Sequence, residues 1–211
     1  MSGYVIILNG PSVAGKSSIQ RALQDEFAEP HLAMGVDSLL VAMLPQRYLR
    51  PPQPPDRKQV MWADPEVDRD GNPLFKLHFG PVGRRSVSGM HRAIAAYAQA
   101  GNFAIVDYIL YEPDFLDELC ELLRGVTAYF IGVRIDLALL EARERARGTS
   151  PPGHARSHYD TVHAHGLYDF EVDTSRASPV ECARAIAEFV RATPNPIAFS
   201  TLRNRHSPSN Q

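Results

Sequence analysis

The chain has 211 residues and a mass of 23.4 kDa, with 44% hydrophobic and 22% charged positions, which suits one compact domain with its own core. Its 22 basic and 24 acidic residues leave a formal charge of −2, excluding a general nucleic-acid or membrane-surface binder while permitting a local basic cleft. Two cysteines far apart in helical patterns, Cys120 and Cys182, exclude a disulfide framework and a zinc site, and fit buried thiols of a reducing compartment.

The N-terminus enters a strand at once, without a basic n-region or cleavage site, and no apolar run reaches membrane-span length, so a cytoplasmic protein is expected. Tyr4 to Leu8 is the apolar run of a buried parallel strand, and Lys16 to Phe27 is an amphipathic helix. Leu32 to Val36 is a weaker strand, after which Asp37 or Ser38 could cap a short helix through Met43. Pro45 to Asp70 holds six prolines, among them Pro51 and Pro52, and cannot be one regular helix. Asp70-Gly71-Asn72 is the turn of a hairpin returning through Leu74 to Phe79. A helix over Gly83 to Gln99 then leads into a buried strand, Asn102 to Asp107. Helix Pro113 to Leu123, strand Thr127 to Val133, helix Leu137 to Arg147 and strand Asp169 to Asp173 follow. Ser178 to Glu181 is a capping box with Pro179 at the first helical position, opening a helix to Arg191. Strands alternating with helices predict a three-layer α/β domain over 1–192, a parallel five-stranded sheet covered on both faces. Residues 193–211 are polar and contain proline, and are expected to fray.

Gly10-Pro11-Ser12-Val13-Ala14-Gly15-Lys16-Ser17 fits the phosphate-binding pattern G-x-x-x-x-G-K-[ST], between a buried strand and a helix. Backbone amides through Ser18 would cradle phosphate oxygens, Lys16 would reach the β- and γ-phosphates of ATP, and Ser17 would bind Mg²⁺. Only three basic residues are lysines (Lys16, Lys58, Lys76), so one at this position carries weight. No guanine-reading Asn/Thr-Lys-x-Asp motif is present, which argues against a GTPase. Asp37, at the carboxyl edge of the second strand, is the candidate base for an acceptor hydroxyl, although a helix cap would explain it too. Asp107 ends its strand as a second Mg²⁺ ligand would. Arg143 and Arg147 share a helix face before Gly148, as expected of a lid over about 143–158 that supplies charge to transferring phosphates. His154, His158, His163 and His165 have no tight ligand spacing and are expected on a polar helix near that lid rather than around a metal.

Several segments together resemble the chloramphenicol phosphotransferases. They are Ile-Ile-Leu-Asn-Gly before the loop, Gly35-Val36-Asp37-Ser38-Leu39, the hairpin near Gly71, the strand ending at Asp107, and Gly132-Val133-Arg134. Arg143-Glu144, Ala146-Arg147-Gly148, Val162-His163, Tyr168-Asp169 and Glu171-Val172-Asp173-Thr174 extend the likeness over about 4–190. The resemblance implies a nucleoside-monophosphate-kinase-like fold and an ATP- and Mg²⁺-dependent transfer to an antibiotic hydroxyl, giving resistance by inactivation. It implies that Asp37 is the general base and that Arg134, Arg143 and Arg147 lie near the phosphates. The chain departs from the family at Pro11 and Val13, in the loop after Gly148, and in the Pro-rich insertion over about 45–80. That insertion is expected to line the acceptor site, with Tyr48, Met61 and Trp62 as apolar contacts.

Two other functions compete with a small-molecule kinase. A zeta-toxin-like nucleotide-sugar kinase would need basic residues for a diphosphate, and Arg47, Arg50, Arg57, Arg84 and Arg85 keep it open. A nucleotide-binding regulator would bind ATP without turnover. No nucleic-acid partner is expected from a chain without a basic stripe.

Overall fold

The computed structural model describes residues 3–49 and 54–206; Arg50, Pro51, Pro52 and the tail beyond 206 lie outside the described residues. Five strands form one parallel sheet in the order β2-β5-β1-β6-β7. At its centre β1 (Tyr4–Asn9) pairs with β5 (Phe103–Tyr108) on one side and β6 (Thr127–Arg134) on the other. Outside these lie β2 (His31–Gly35) and β7 (Phe170–Asp173).

The side chains of β1 alternate between two cores. Val5 and Ile7 pack with residues of α3 (Pro81–Gln99), α4 (Pro113–Leu122) and α8 (Ala198–His206). Ile6 and Leu8 pack with α1 (Lys16–Gln24), α5 (Leu137–Arg147) and α7 (Pro179–Ala192). A strand buried on both faces must be apolar throughout, which is why Tyr4 to Leu8 reads as an unbroken run. Cys120 belongs to the first core and Cys182 to the second, both as free thiols. Chain connections leave β1 toward β2 and reach β6 on the opposite side, so a crevice opens at the carboxyl edge of β1.

The Pro-rich insertion contains structure that composition alone did not reveal. A short helix α2 (Gln46–Leu49) is followed by a 3₁₀ turn, Arg57–Gln59, and by a separate antiparallel pair, β3 (Met61–Val67) with β4 (Pro73–Phe79). Pro65 is tolerated because a two-stranded ribbon leaves one edge of β3 unpaired. The hairpin turn is wider than Asp70-Gly71-Asn72: the Asp68 carboxylate accepts the N–H groups of Asp70 and Asn72 at 2.9 and 2.8 Å.

Three expectations are corrected. Neither Asp37 nor Ser38 caps a helix, because the chain enters a π-helical turn, Asp37–Val41, directly from Val36, and the Ser38 hydroxyl turns back to donate to Gly35 O. The tail does not fray from residue 193: Ala198, Phe199 and Leu202 are buried in the first core, and Asp169 Oδ1 accepts the N–H groups of Ile197 and Ala198 at 2.7 and 2.9 Å. The histidines do not share a polar helix. They lie in α6 (His154–Ser157), a 3₁₀ turn (Thr161–His163) and the turns that follow each, packed among other rings. The capping box forms as read, with Ser178 Oγ accepting from Glu181 N and the Glu181 carboxylate accepting from Ser178 N.

Candidate active site

The loop Gly10–Gly15 turns the chain from β1 into α1. Gly10 lies where a Cβ would meet the Val133 carbonyl at 2.5 Å, and Gly15 has a φ of +96°, so both positions require glycine. Val13 is held at a φ of +56°, which is costly for a β-branched residue. Lys16 is buried, and its ammonium donates to Pro11 O at 2.8 Å and lies 3.6 Å from Asp107 Oδ1. Burial lowers its pKa, while the carboxylates of Asp107 and then Asp37 oppose that shift. The Ser17 hydroxyl donates to Asp107 Oδ2 at 2.5 Å, and Ser12 N–H donates to Nε2 of His158.

A cleft of about 850 Å³ opens over this loop. Asp37 enters it from the end of β2, and Ser17, Asp107, Arg143 and Arg147 line it as well. Arg143 is fixed by Thr174, donating to its Oγ1 at 3.1 Å and to its carbonyl at 2.9 Å. Thr174 Oγ1 in turn donates to Ala14 O at 2.8 Å, so the Gly10–Gly15 loop and α5 share one anchor. On the other side Met61, Leu77, Phe79, Ile109 and Tyr111 form an apolar wall. Burial, with Asp37 and Asp107 nearby, pushes the Tyr111 phenol well above its ordinary pKa.

This is the constellation of a phosphoryl-transfer site: a phosphate cradle, a buried lysine, a hydroxyl paired with a carboxylate, and arginines across the cleft. The chloramphenicol phosphotransferase-like protein family matches residues 3–191. The chain belongs to that family. A Mycobacterium tuberculosis protein with the provisional name of an O-phosphotransferase is 34% identical over 207 residues, covering 96% of this chain and 89% of that one. Among solved structures, the Mycobacterium tuberculosis APS kinase CysC superposes with a TM-score of 0.56 at 13% identity, covering 90% of this chain and 98% of that chain. The tunicamycin resistance protein of Deinococcus radiodurans superposes with a TM-score of 0.58 at 16% identity, covering 89% and 95%. The fold is that of the P-loop kinases, as the phosphate-loop motif and the family resemblance together imply, and the chain is a kinase-type phosphotransferase.

The structure brings most of the sequence-derived residues of this family member together. Gly15, Lys16, Ser17, Ser18, Ser12 and Val13 all line the cleft, while Gly10, Pro11 and Ala14 shape the loop from behind. Arg134 is not brought there: its guanidinium pairs with Glu171 and lies 5.6 Å from the Tyr168 ring. Among the basic residues that kept the nucleotide-sugar reading open, Arg84 is paired with Glu112 and Asp114, and Arg47 lies over the Tyr48 ring. None of Arg47, Arg57, Arg84 or Arg85 lines the cleft, and Arg50 lies outside the described residues. Of the apolar candidates only Met61 reaches it; the Trp62 indole stacks on His78 and donates to Asp64. Tyr111 was missed from sequence because nothing local marks it, whereas the bonding of Thr174 explains the Glu171-Val172-Asp173-Thr174 segment.

The residues present fit ATP and Mg²⁺. The loop offers backbone donors and an ammonium to phosphates, and Ser17 with Asp107 offers two hard oxygen ligands, enough for an ion that keeps most of its waters. Among the described residues no group of three His, Cys, Asp or Glu could hold another metal, and no helix is long and apolar enough to cross a membrane.

Proposed function

We propose that this phosphotransferase moves the γ-phosphoryl group of ATP to a hydroxyl of an uncharged, largely apolar small molecule, an antibiotic such as chloramphenicol or a related compound, and so confers resistance by inactivating it. One observation carries the reading: Asp37 lines the same cleft as Lys16, Ser17, Asp107, Arg143 and Arg147, with an apolar wall of Met61, Leu77, Phe79, Ile109 and Tyr111 beyond it. Among the described residues the Asp37 carboxylate has no hydrogen-bond or ion-pair partner, which leaves it available to an acceptor. The family's description supports an antibiotic acceptor.

In this mechanism Asp37 orients the acceptor hydroxyl and takes its proton as the oxygen attacks the γ-phosphorus. The bond from that phosphorus to the β,γ-bridging oxygen breaks and ADP leaves. Lys16, Arg143 and Arg147 face the charge that spreads over the transferring group. Ser17 and Asp107 would hold Mg²⁺, which would supply positive charge to offset that of the phosphates. Two unpaired buried cysteines and the need for ATP support action in the cytoplasm.

The test is ATP consumption by the purified chain with Mg²⁺ against hydroxylated antibiotics, chloramphenicol first, and UDP-N-acetylglucosamine. We expect turnover with an antibiotic and a loss of roughly 10²–10⁴-fold in Asp37→Asn. Turnover with the UDP-sugar alone would replace this reading by nucleotide-sugar phosphorylation.

A further inference from the structure

The Pro11–Ser12 peptide is held from both ends. Its carbonyl accepts the Lys16 ammonium at 2.8 Å, and its N–H donates to Nε2 of His158 at 3.0 Å. One rigid amide plane therefore links the buried lysine to an imidazole 146 positions along the chain from Ser12. A peptide N–H is only a donor, so Nε2 must be the acceptor and the neutral ring carries its hydrogen on Nδ1, 3.3 Å from Ser157 Oγ.

The ring is placed rigidly. It is 4% exposed and packs against Tyr111 and His154, with ring centroids 5.3 and 4.9 Å away. Burial first, then His154 and Lys16, hold its pKa well below the ordinary imidazole value, which keeps Nε2 an acceptor at neutral pH. The loop needs such restraint, because the left-handed Val13 beside Ser12 persists only where its neighbours over-determine the backbone. The segment bearing His158 is itself tied to the lid helix: the buried Glu144 carboxylate of α5 accepts the N–H groups of Gly153 and Ala155 at 2.9 and 2.6 Å.

We propose that His158 is a positioning residue for phosphoryl transfer, fixing the Pro11–Ser12 peptide and, through that peptide's carbonyl, the resting place of the Lys16 ammonium. It also references the phosphate loop to the helix that carries Arg143 and Arg147. The inference rests on the reading of this loop as an ATP site.

The test measures binding of the non-hydrolysable analogue AMPPNP with Mg²⁺ by calorimetry, together with thermal melts of each variant. His158→Phe keeps an aromatic ring but has no acceptor, and is expected to weaken AMPPNP roughly tenfold, the effect of one well-placed hydrogen bond. His158→Gln can place Oε1 near the position of Nε2 and is expected to recover to within about threefold of the parent; His158→Asn is too short and is expected to behave like the Phe variant. Parent-like binding by His158→Phe, or equal impairment of the Gln and Phe variants, overturns the inference. If the Phe variant does not fold, the Gln–Asn pair decides by the same criterion. A parent chain that binds no AMPPNP overturns the ATP reading and this inference with it; a parent that binds beside an indifferent variant overturns this inference alone.

Discussion

Asp107 touches both residues that distinguish a phosphate loop from an ordinary glycine turn, the ammonium of Lys16 and the hydroxyl of Ser17. Removing its charge while keeping its shape should therefore act on the metal more than on the fold. In Asp107→Asn the Mg²⁺ concentration for half-maximal turnover is expected to rise roughly 10–100-fold, as read from Mg²⁺ titrations at fixed ATP. A second residue-scale prediction concerns acid. Burial and then Arg134 depress His163 to about 3 and His165 to about 4, whereas a free imidazole titrates near 6.5. Between those values the unfolded chain binds protons that the folded chain refuses, so stability is full above about pH 6.5 and falls as pH drops toward 4. His165→Phe keeps the stack on Phe130 and removes one such group; its denaturation midpoint should fall less than the parent's between pH 7 and 5. A parallel fall in both chains would count against this cause. Residues whose placement is set by one consecutive motif were legible in the sequence, as the turn from β1 through Gly10–Gly15 into α1 was. Arg134 was not, because its destination depends on Glu171 in a neighbouring strand and on the Tyr168 ring, neither of which is visible locally.

Elements show the same division. Buried strands and helices with strong periodicity were read close to their observed bounds, because both faces of the sheet demand apolar side chains. The last helix was hidden, since its apolar face consists of little more than Ala198, Phe199 and Leu202 in a polar, proline-flanked stretch, and its start is secured by Asp169 far back in the chain. Phe199 packs its ring 4.8 Å from that of Phe130, inside the first core. Phe199→Ala is expected to cost about 3–5 kcal/mol in urea unfolding; a loss under about 1 kcal/mol, the range of a surface change, would mean that α8 docks loosely. The loop after α5 offers a comparable test. Glu144 is 5% exposed and satisfies two backbone donors, so Glu144→Ala should leave those N–H groups unpaired and loosen residues 148–155. Trypsin cleavage after Arg145 and Arg147 should accelerate in that variant, with circular dichroism unchanged.

At the scale of the whole molecule the cleft is a product of topology. Asp37, Lys16, Asp107 and Arg143 come from four different segments, and they meet because parallel strands deliver their carboxyl ends to one edge while β1 divides the connections. The sequence supports that meeting point through the alternation of strands and helices, yet it does not show which acceptor-side residues close the wall, because β3 and β4 form a separate ribbon with its own register. The two cores are joined through one sheet, so ligand binding at its edge should stabilise the chain as one unit. A ligand that binds only the folded state at a free concentration of 100 times its Kd adds about 2.7 kcal/mol, and for a chain of this size each kcal/mol raises Tm by roughly 2–4 °C. Mg²⁺ with AMPPNP is therefore expected to move a single, cooperative melting transition upward by roughly 5–10 °C. Lys16→Ala removes the ammonium proposed to meet the phosphates and should abolish most of that shift while leaving the transition cooperative. A split transition in the parent, with only one part responding to nucleotide, would show instead that the two faces of the sheet unfold separately.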